Sequence, residues 1–405
     1  MIVTLNQISG LCRHALPFSP ENLPLFSWNF RRSNNLRSIV FVISWALGAA
    51  FCGQALASSE GTIDPFTIPQ GAYVAEQIED RDHLSIMSFS GNYDKNLDAG
   101  AFNAPARAVV AREFYKNHPD NYDFLFVFTA FEFDSGDAIA FYHGTKNDTG
   151  GIGVPIFDNT VLYGSQGKLQ GVVDMAATSR YVLDPASPDF EFPLNVAAHE
   201  VLHRWAATVK FVDDGGAVSD ELLGSDLAHW NFFLETGGSV EYGHRWRDNG
   251  DGTFTAVAAR RFYSPLDLYL MGVYSKDQVP PMQIIVPSDD EFSRFDLPRQ
   301  GVTVSGTVKT VTIDDIIAAE GPRLPTMDDA QKEFRFAFIY LVPPGTEISE
   351  RSVADINRFR KGFVDRFAIF TGGQATAHVY PEALPVAVLG VADAVASEAE
   401  VRTDS

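Results

Sequence analysis

Residues Asn195 to Trp205 read NVAAHEVLHRW. On a helix, residues four apart sit one above the other, so the rings of His199 and His203 can be aimed at a single ion. Glu200 lies about 100° further round, where its carboxylate can face the same ion without binding it. Neutral imidazoles suit zinc, and a carboxylate so placed can take a proton from a water whose pKa the ion has lowered. The competing reading is an ordinary amphipathic helix carrying two satisfied histidines. With nine His in the chain, an H-E-x-x-H word arises by chance in about one such sequence in a hundred. Its flanks Val196, Ala197, Ala198, Val201 and Leu202 are apolar, and Glu200 among them would be costly without a partner. The stretch therefore reads as a metal helix, with Pro193 and Asn195 as start signals and Asn195 as N-cap.

A catalytic zinc takes three protein ligands and keeps one position open. The preferred third ligand is His229 in SDLAHWNFF, since imidazole is a common zinc ligand and its neighbours Leu227, Trp230 and Phe232 imply a semi-buried setting. Asp226 and Glu221 are the alternatives, with Glu241 and His244 open behind them. Asp226 could instead orient a ligand imidazole. For a donor to a developing oxyanion, Tyr242, His244, Tyr263 and Tyr269 fall in the right segment. Asp267 in SPLDLYLMG could cap that helix or hold a ligand.

Upstream, His83 to Gly91 alternates like a strand, and Ala104 to Asn117 reads as a helix with Pro105 in its first turn. Tyr122 to Phe133 has the aromatic run of a buried central strand. Short strands at Ala138 to Tyr142, Val161 to Tyr163 and Gly171 to Met175 follow, the middle one in glycine-rich sequence suited to loops. Downstream, Ser219 to Glu235 reads as helical, and DNGDG at Asp248 to Gly252 as a hairpin turn in preference to a calcium loop, whose spacing it lacks. Ser264 to Val273 reads as a helix or tight turn, Val302 to Ile313 as a hairpin, and Phe334 to Val342 as a strand. Ser349 to Phe370 reads as an amphipathic helix and Ala375 to Tyr380 as a strand. The prolines at 280, 281 and 287 mark an internal boundary, dividing residues 58–280 from a C-terminal α/β region at 281–388 that packs on the first part or continues it.

The full chain has 405 residues and a formal charge of −21, with 45% hydrophobic residues, which is the composition of a globular protein. Arg31, Arg32 and Arg37, the apolar run Ile39 to Cys52 and the exit Ala55-Leu56-Ala57 form the pattern of a secretory signal over 1–57 with a long n-region. The run is too short for a stable membrane anchor. Removing 1–57 takes four arginines and Glu21, shifting −21 to −24, a charge that disfavours nucleic acid and anionic lipid as partners. Cys12 and Cys52 leave with it, so a metal in the mature chain must be held by His, Asp or Glu. The small acidic tail 389–405 reads as disordered.

Through His199-Glu200-Val201-Leu202-His203 the sequence resembles the zincin metallopeptidases. That resemblance implies an α+β fold in which a twisted mixed sheet backs the active-site helix and an edge strand lines the substrate cleft, over roughly residues 80 to 275. It implies His199 and His203 as zinc ligands, Glu200 as general base and a protein or peptide substrate. Extended metzincin positions are not matched, since Ala206 and Val209 stand where a glycine and a third ligand belong. The gluzincin spacing is also broken, with Ser225 four residues after Glu221. The expected protein is thus a secreted zinc peptidase. A zinc hydrolase of a non-peptide substrate and a catalytically silent, zinc-containing binding module are the alternatives.

Overall fold

Every residue of Phe124–Thr129 is buried, and the alternation of a strand sends Phe124, Phe126 and Phe128 to one face and Leu125 and Val127 to the other. Apolar side chains on both faces require cover on both, and that requirement organises the fold of the computed structural model, which describes residues 71–379. The expected signal segment and the tail 389–405 lie outside the described residues.

The first part of the chain runs β1 (Tyr73–Arg81), β2 (Leu84–Gly91), α1 (Ala104–Asn117), β3 (Phe124–Thr129), β4 (Phe141–Gly144), β5 (Gly171–Ala177) and α2 (Glu191–Leu202). Next come β6 (Trp230–Glu235), β7 (Tyr242–Asp248), β8 (Thr253–Val257), α3 (Pro265–Met271), β9 (Met282–Pro287) and β10 (Thr303–Val311). The chain continues through α4 (Ile313–Glu320), β11 (Glu333–Val342), α5 (Glu350–Phe370) and β12 (Thr376–Val379). The class is α+β. One sheet has the order β1-β2-β11-β3-β5-β4, with β12 also beside β11. Its centre is parallel, while β1 and β4 run antiparallel at the edges. The other, β6-β7-β8-β10-β9, closes as a small barrel.

Helix α1 covers the sheet face that carries Leu125, Val127, Ile339 and Leu341. Helices α2 and α5 cover the other, where Phe126 stacks on Phe338 at 4.9 Å and meets Phe363 of α5 at 5.1 Å. Gly362 lets α5 approach α2, since a Cβ there would stand 2.8 Å from the Phe190 ring. Helix α2 is therefore clamped between a sheet and a second helix. Strand β11, from beyond the proline boundary, lies between β2 and β3, so the C-terminal region continues the sheet.

Several elements depart from expectation. Ser219 to Glu235 is not a helix: a short 3-10 turn at Ser225–Leu227 leads into strand β6. Asp226 and Leu227 adopt φ of 48° and 59°, which no helix continues, and WNFFLE has the aromatic content of a strand. Helix α2 starts at Glu191, after a 3-10 turn headed by Ser187, whose hydroxyl accepts the Asp189 N–H. Asn195 is therefore mid-helix and no cap. Val161 to Tyr163 lies in a 3-10 turn, and Val302 to Ile313 is largely one strand, whose hairpin partner is β9. Strand β1 was masked in sequence by its many charged residues.

Phe126→Ala removes a fully buried ring that stacks on Phe338 and meets Phe363 edge-on, and is expected to lower unfolding free energy by about 3–5 kcal/mol in urea titration. A loss under about 1 kcal/mol would contradict this account of the core.

Candidate metal centre

Helix α2 points His199 and Glu200 inward and ends at Leu202, yet His203 keeps helical dihedrals of −54° and −15°, so its ring stays on the face of His199. The strand pair β6 and β7 brings two more residues against that face. His229 immediately precedes β6 and Glu241 immediately precedes β7. His199, His203, His229 and Glu241 each present one ligand atom, and these four atoms lie within 4.8 Å of one another. They could hold a metal ion.

The hydrogen bonds fix how two of the rings are presented. His199 Nδ1–H donates to Val240 O at 2.8 Å, and His229 Nδ1–H donates to Asp226 Oδ1 at 2.7 Å. Both Nε2 atoms are thereby left as bare acceptors, and they face each other at 3.2 Å. Two lone pairs so directed repel unless a cation lies between them. Two nitrogens bound tetrahedrally to zinc at about 2.0–2.1 Å would stand about 3.3–3.4 Å apart, which the observed spacing fits. Tyr242 lies flat on His229, with centroids 4.3 Å apart, and its φ of 77° is unusual for a bulky residue.

Glu241 supplies a second test of fit. It is fully buried, neither carboxylate oxygen has a hydrogen-bond partner, and burial pushes its carboxyl well up, with Asp267 adding to the effect. Its Oε2 is 3.6 Å from Nδ1 of both His199 and His203. A buried orphan carboxylate beside three imidazoles is an anion that needs a nearby cation. Burial lowers His199 to about 3, and it lowers His203 well below the usual range, with His199 adding to the effect. The imidazoles are thus held neutral, the state that binds metal.

Glu200 does not belong to the four-residue cluster. Burial raises its carboxyl to about 8, against which the Lys95 charge and the backbone N–H of Tyr142 on β4 act to lower it. The edge strand of the sheet thus comes directly against the would-be base. Asp226 is held below its usual range: burial opposes this, and the hydrogen bond and charge of His229 outweigh it. It orients His229 and does not join the cluster.

No protein-family model matches the chain, and no curated protein or solved structure matches it significantly. Site residues must therefore be judged on geometry. The structure brings His229 to His199 and His203, with Glu200 beside them. Glu221, an alternative ligand, instead pairs with Lys309 at 2.6 Å on the surface. His244 uses both ring nitrogens, one to Phe232 O and one accepting the Arg299 N–H. Tyr263 donates its hydroxyl to Ala198 O behind α2, and the Tyr269 hydroxyl accepts the Arg323 N–H. Of the four candidate oxyanion donors, only Tyr242 stacks on the cluster. The weight of Glu241 was missed; its signal was a lone acid in the otherwise uncharged stretch TGGSVEYG.

His229→Ala is expected to abolish stoichiometric metal retention through gel filtration, and Glu241→Gln to weaken affinity about 10–100-fold. Metal analysis of the eluted protein checks both. Full occupancy in His229→Ala would remove that residue from the site.

Proposed function

We propose that the chain is a zinc-dependent hydrolase of peptide bonds, a zincin-type metallopeptidase, and that it acts outside the cell after loss of residues 1–57. The observation that carries the reading is the meeting of three imidazoles, His199, His203 and His229, with the buried carboxyl of Glu200 on the helix that carries the first two. Zinc held there would act as a Lewis acid and lower the pKa of a water. Glu200 accepts the proton of the attacking water and passes it to the leaving amine. Asp226 and the Val240 carbonyl hold His229 and His199 in the tautomers that leave Nε2 free. Tyr242, whose ring stacks on His229, is assigned to the developing oxyanion.

A peptide substrate is favoured by β4. It is one of the two antiparallel edges of the sheet, its backbone meets Glu200, and an edge strand can pair with an extended chain. A non-peptide substrate would make no use of that ladder.

Glu241 supports a second reading, a closed four-ligand site in a catalytically silent module. Against it, His199 Nδ1 is already committed to Val240, and one Glu241 oxygen is equally far from the Nδ1 atoms of both helix histidines. That is the place of an anion orienting two rings from behind. A silent site also has no need of Glu200.

Glu200→Gln is expected to keep its zinc and lose about 100-fold or more in peptide hydrolysis. Tyr242→Phe is expected to lower kcat about 100-fold with little change in KM. Hydrolysis of a peptide library read by mass spectrometry, with zinc measured on the same samples, decides both. A zinc-loaded wild type that cleaves nothing would favour the silent module.

A further inference from the structure

Asp267 is the third residue of α3 and is fully buried. Part of its role is local: its Oδ2 accepts the Ser264 N–H at 2.7 Å and its own N–H donates to Ser264 Oγ at 3.3 Å, a capping box. A cap needs no more than that. Yet Oδ1 also accepts the indole N–H of Trp230 at 2.7 Å, and Oδ2 accepts the Ser239 hydroxyl at 2.6 Å. Both partners are buried side chains from other segments.

Those segments are the ones that carry the metal cluster. Trp230 directly follows His229. Ser239 directly precedes Val240, whose carbonyl holds His199, and the Ser239 hydroxyl in turn accepts the Glu241 N–H at 3.0 Å. The Trp230 N–H donates to Glu241 O at 2.9 Å, closing the ring of contacts. One carboxylate thus joins the start of β6, the loop before β7 and the N-terminus of α3.

We propose that Asp267 is a positioning residue of the metal centre, setting His229 through Trp230, and Val240 and Glu241 through Ser239. It touches none of the four cluster residues by hydrogen bond, and its influence passes through two intermediaries. A carboxylate suits the place because three donors from different segments converge on it, and an amide would turn its NH₂ toward one of them. The proposal rests on the metal reading of the site.

The test uses the full chain with Asp267→Asn, Ser239→Ala and a control, Phe114→Leu, in the α1 core on the opposite face of the sheet. Zinc affinity is measured by chelator competition, and site geometry by the visible absorption of the cobalt(II)-loaded protein. Ser239→Ala leaves the Ser264–Asp267 cap intact, so it decides the matter even if Asp267→Asn does not fold. The expected result is zinc binding about 10–100-fold weaker in both site variants, with a shifted cobalt band. Phe114→Leu is expected to lower Tm and leave affinity and band unchanged. Wild-type affinity and an unshifted band in Ser239→Ala would reduce Asp267 to a helix cap and overturn the proposal. Absence of zinc and cobalt binding by the wild type would instead overturn the metal reading, and this proposal with it.

Discussion

Two imidazole nitrogens face each other across 3.2 Å, each deprived of its proton by a hydrogen bond on the far side of its ring. A fully buried carboxylate without a donor lies beside them. Each element alone costs free energy: lone pairs repel, and an orphan carboxylate loses its hydration. A divalent cation would convert both costs into attractions. Apolar side chains in this place would carry neither cost.

The surrounding architecture holds that conflict in place. Helix α2 is fixed between the aromatic face of the sheet and α5, so His199, Glu200 and His203 inherit the rigidity of the largest core. His229 and Glu241 come from the other half, at the entries to two barrel strands. The cluster therefore forms only when sheet and barrel are both folded and in register. Neither half supplies enough ligands for an ion by itself.

What the sequence revealed follows the range of the interactions involved. His199, Glu200 and His203 are legible because four-residue spacing on one helix is local geometry. The helices at Ala104–Asn117 and Glu350–Phe370 and the strand at Phe124–Thr129 are legible for the same reason. His229 was found by its chemistry, although the segment around it is a turn and strand. Asp226 and Leu227 enter the left-handed region there, in a turn closed by the Asp226–His229 bond that no helical periodicity announces. Glu241 has no local pattern at all. Its importance lies in what is missing around it, and only a folded chain shows that.

The position of Glu241 also bears on whether a base can act. If its carboxylate completed a closed shell, Glu200 would be a buried acid raised to about 8 with nothing to deprotonate. Placed behind His199 and His203, it offers negative charge to two rings at once, at 3.6 Å from each Nδ1. That would make the imidazoles better donors to an ion, which His199, His203 and His229 would hold. The charge of that ion would in turn draw down the carboxyl of Glu200, against the burial that raises it. Orientation behind the rings and a buried carboxyl beside them are then two consequences of one arrangement, in which Glu241 would supply the charge and Glu200, under the proposed function, the proton acceptor.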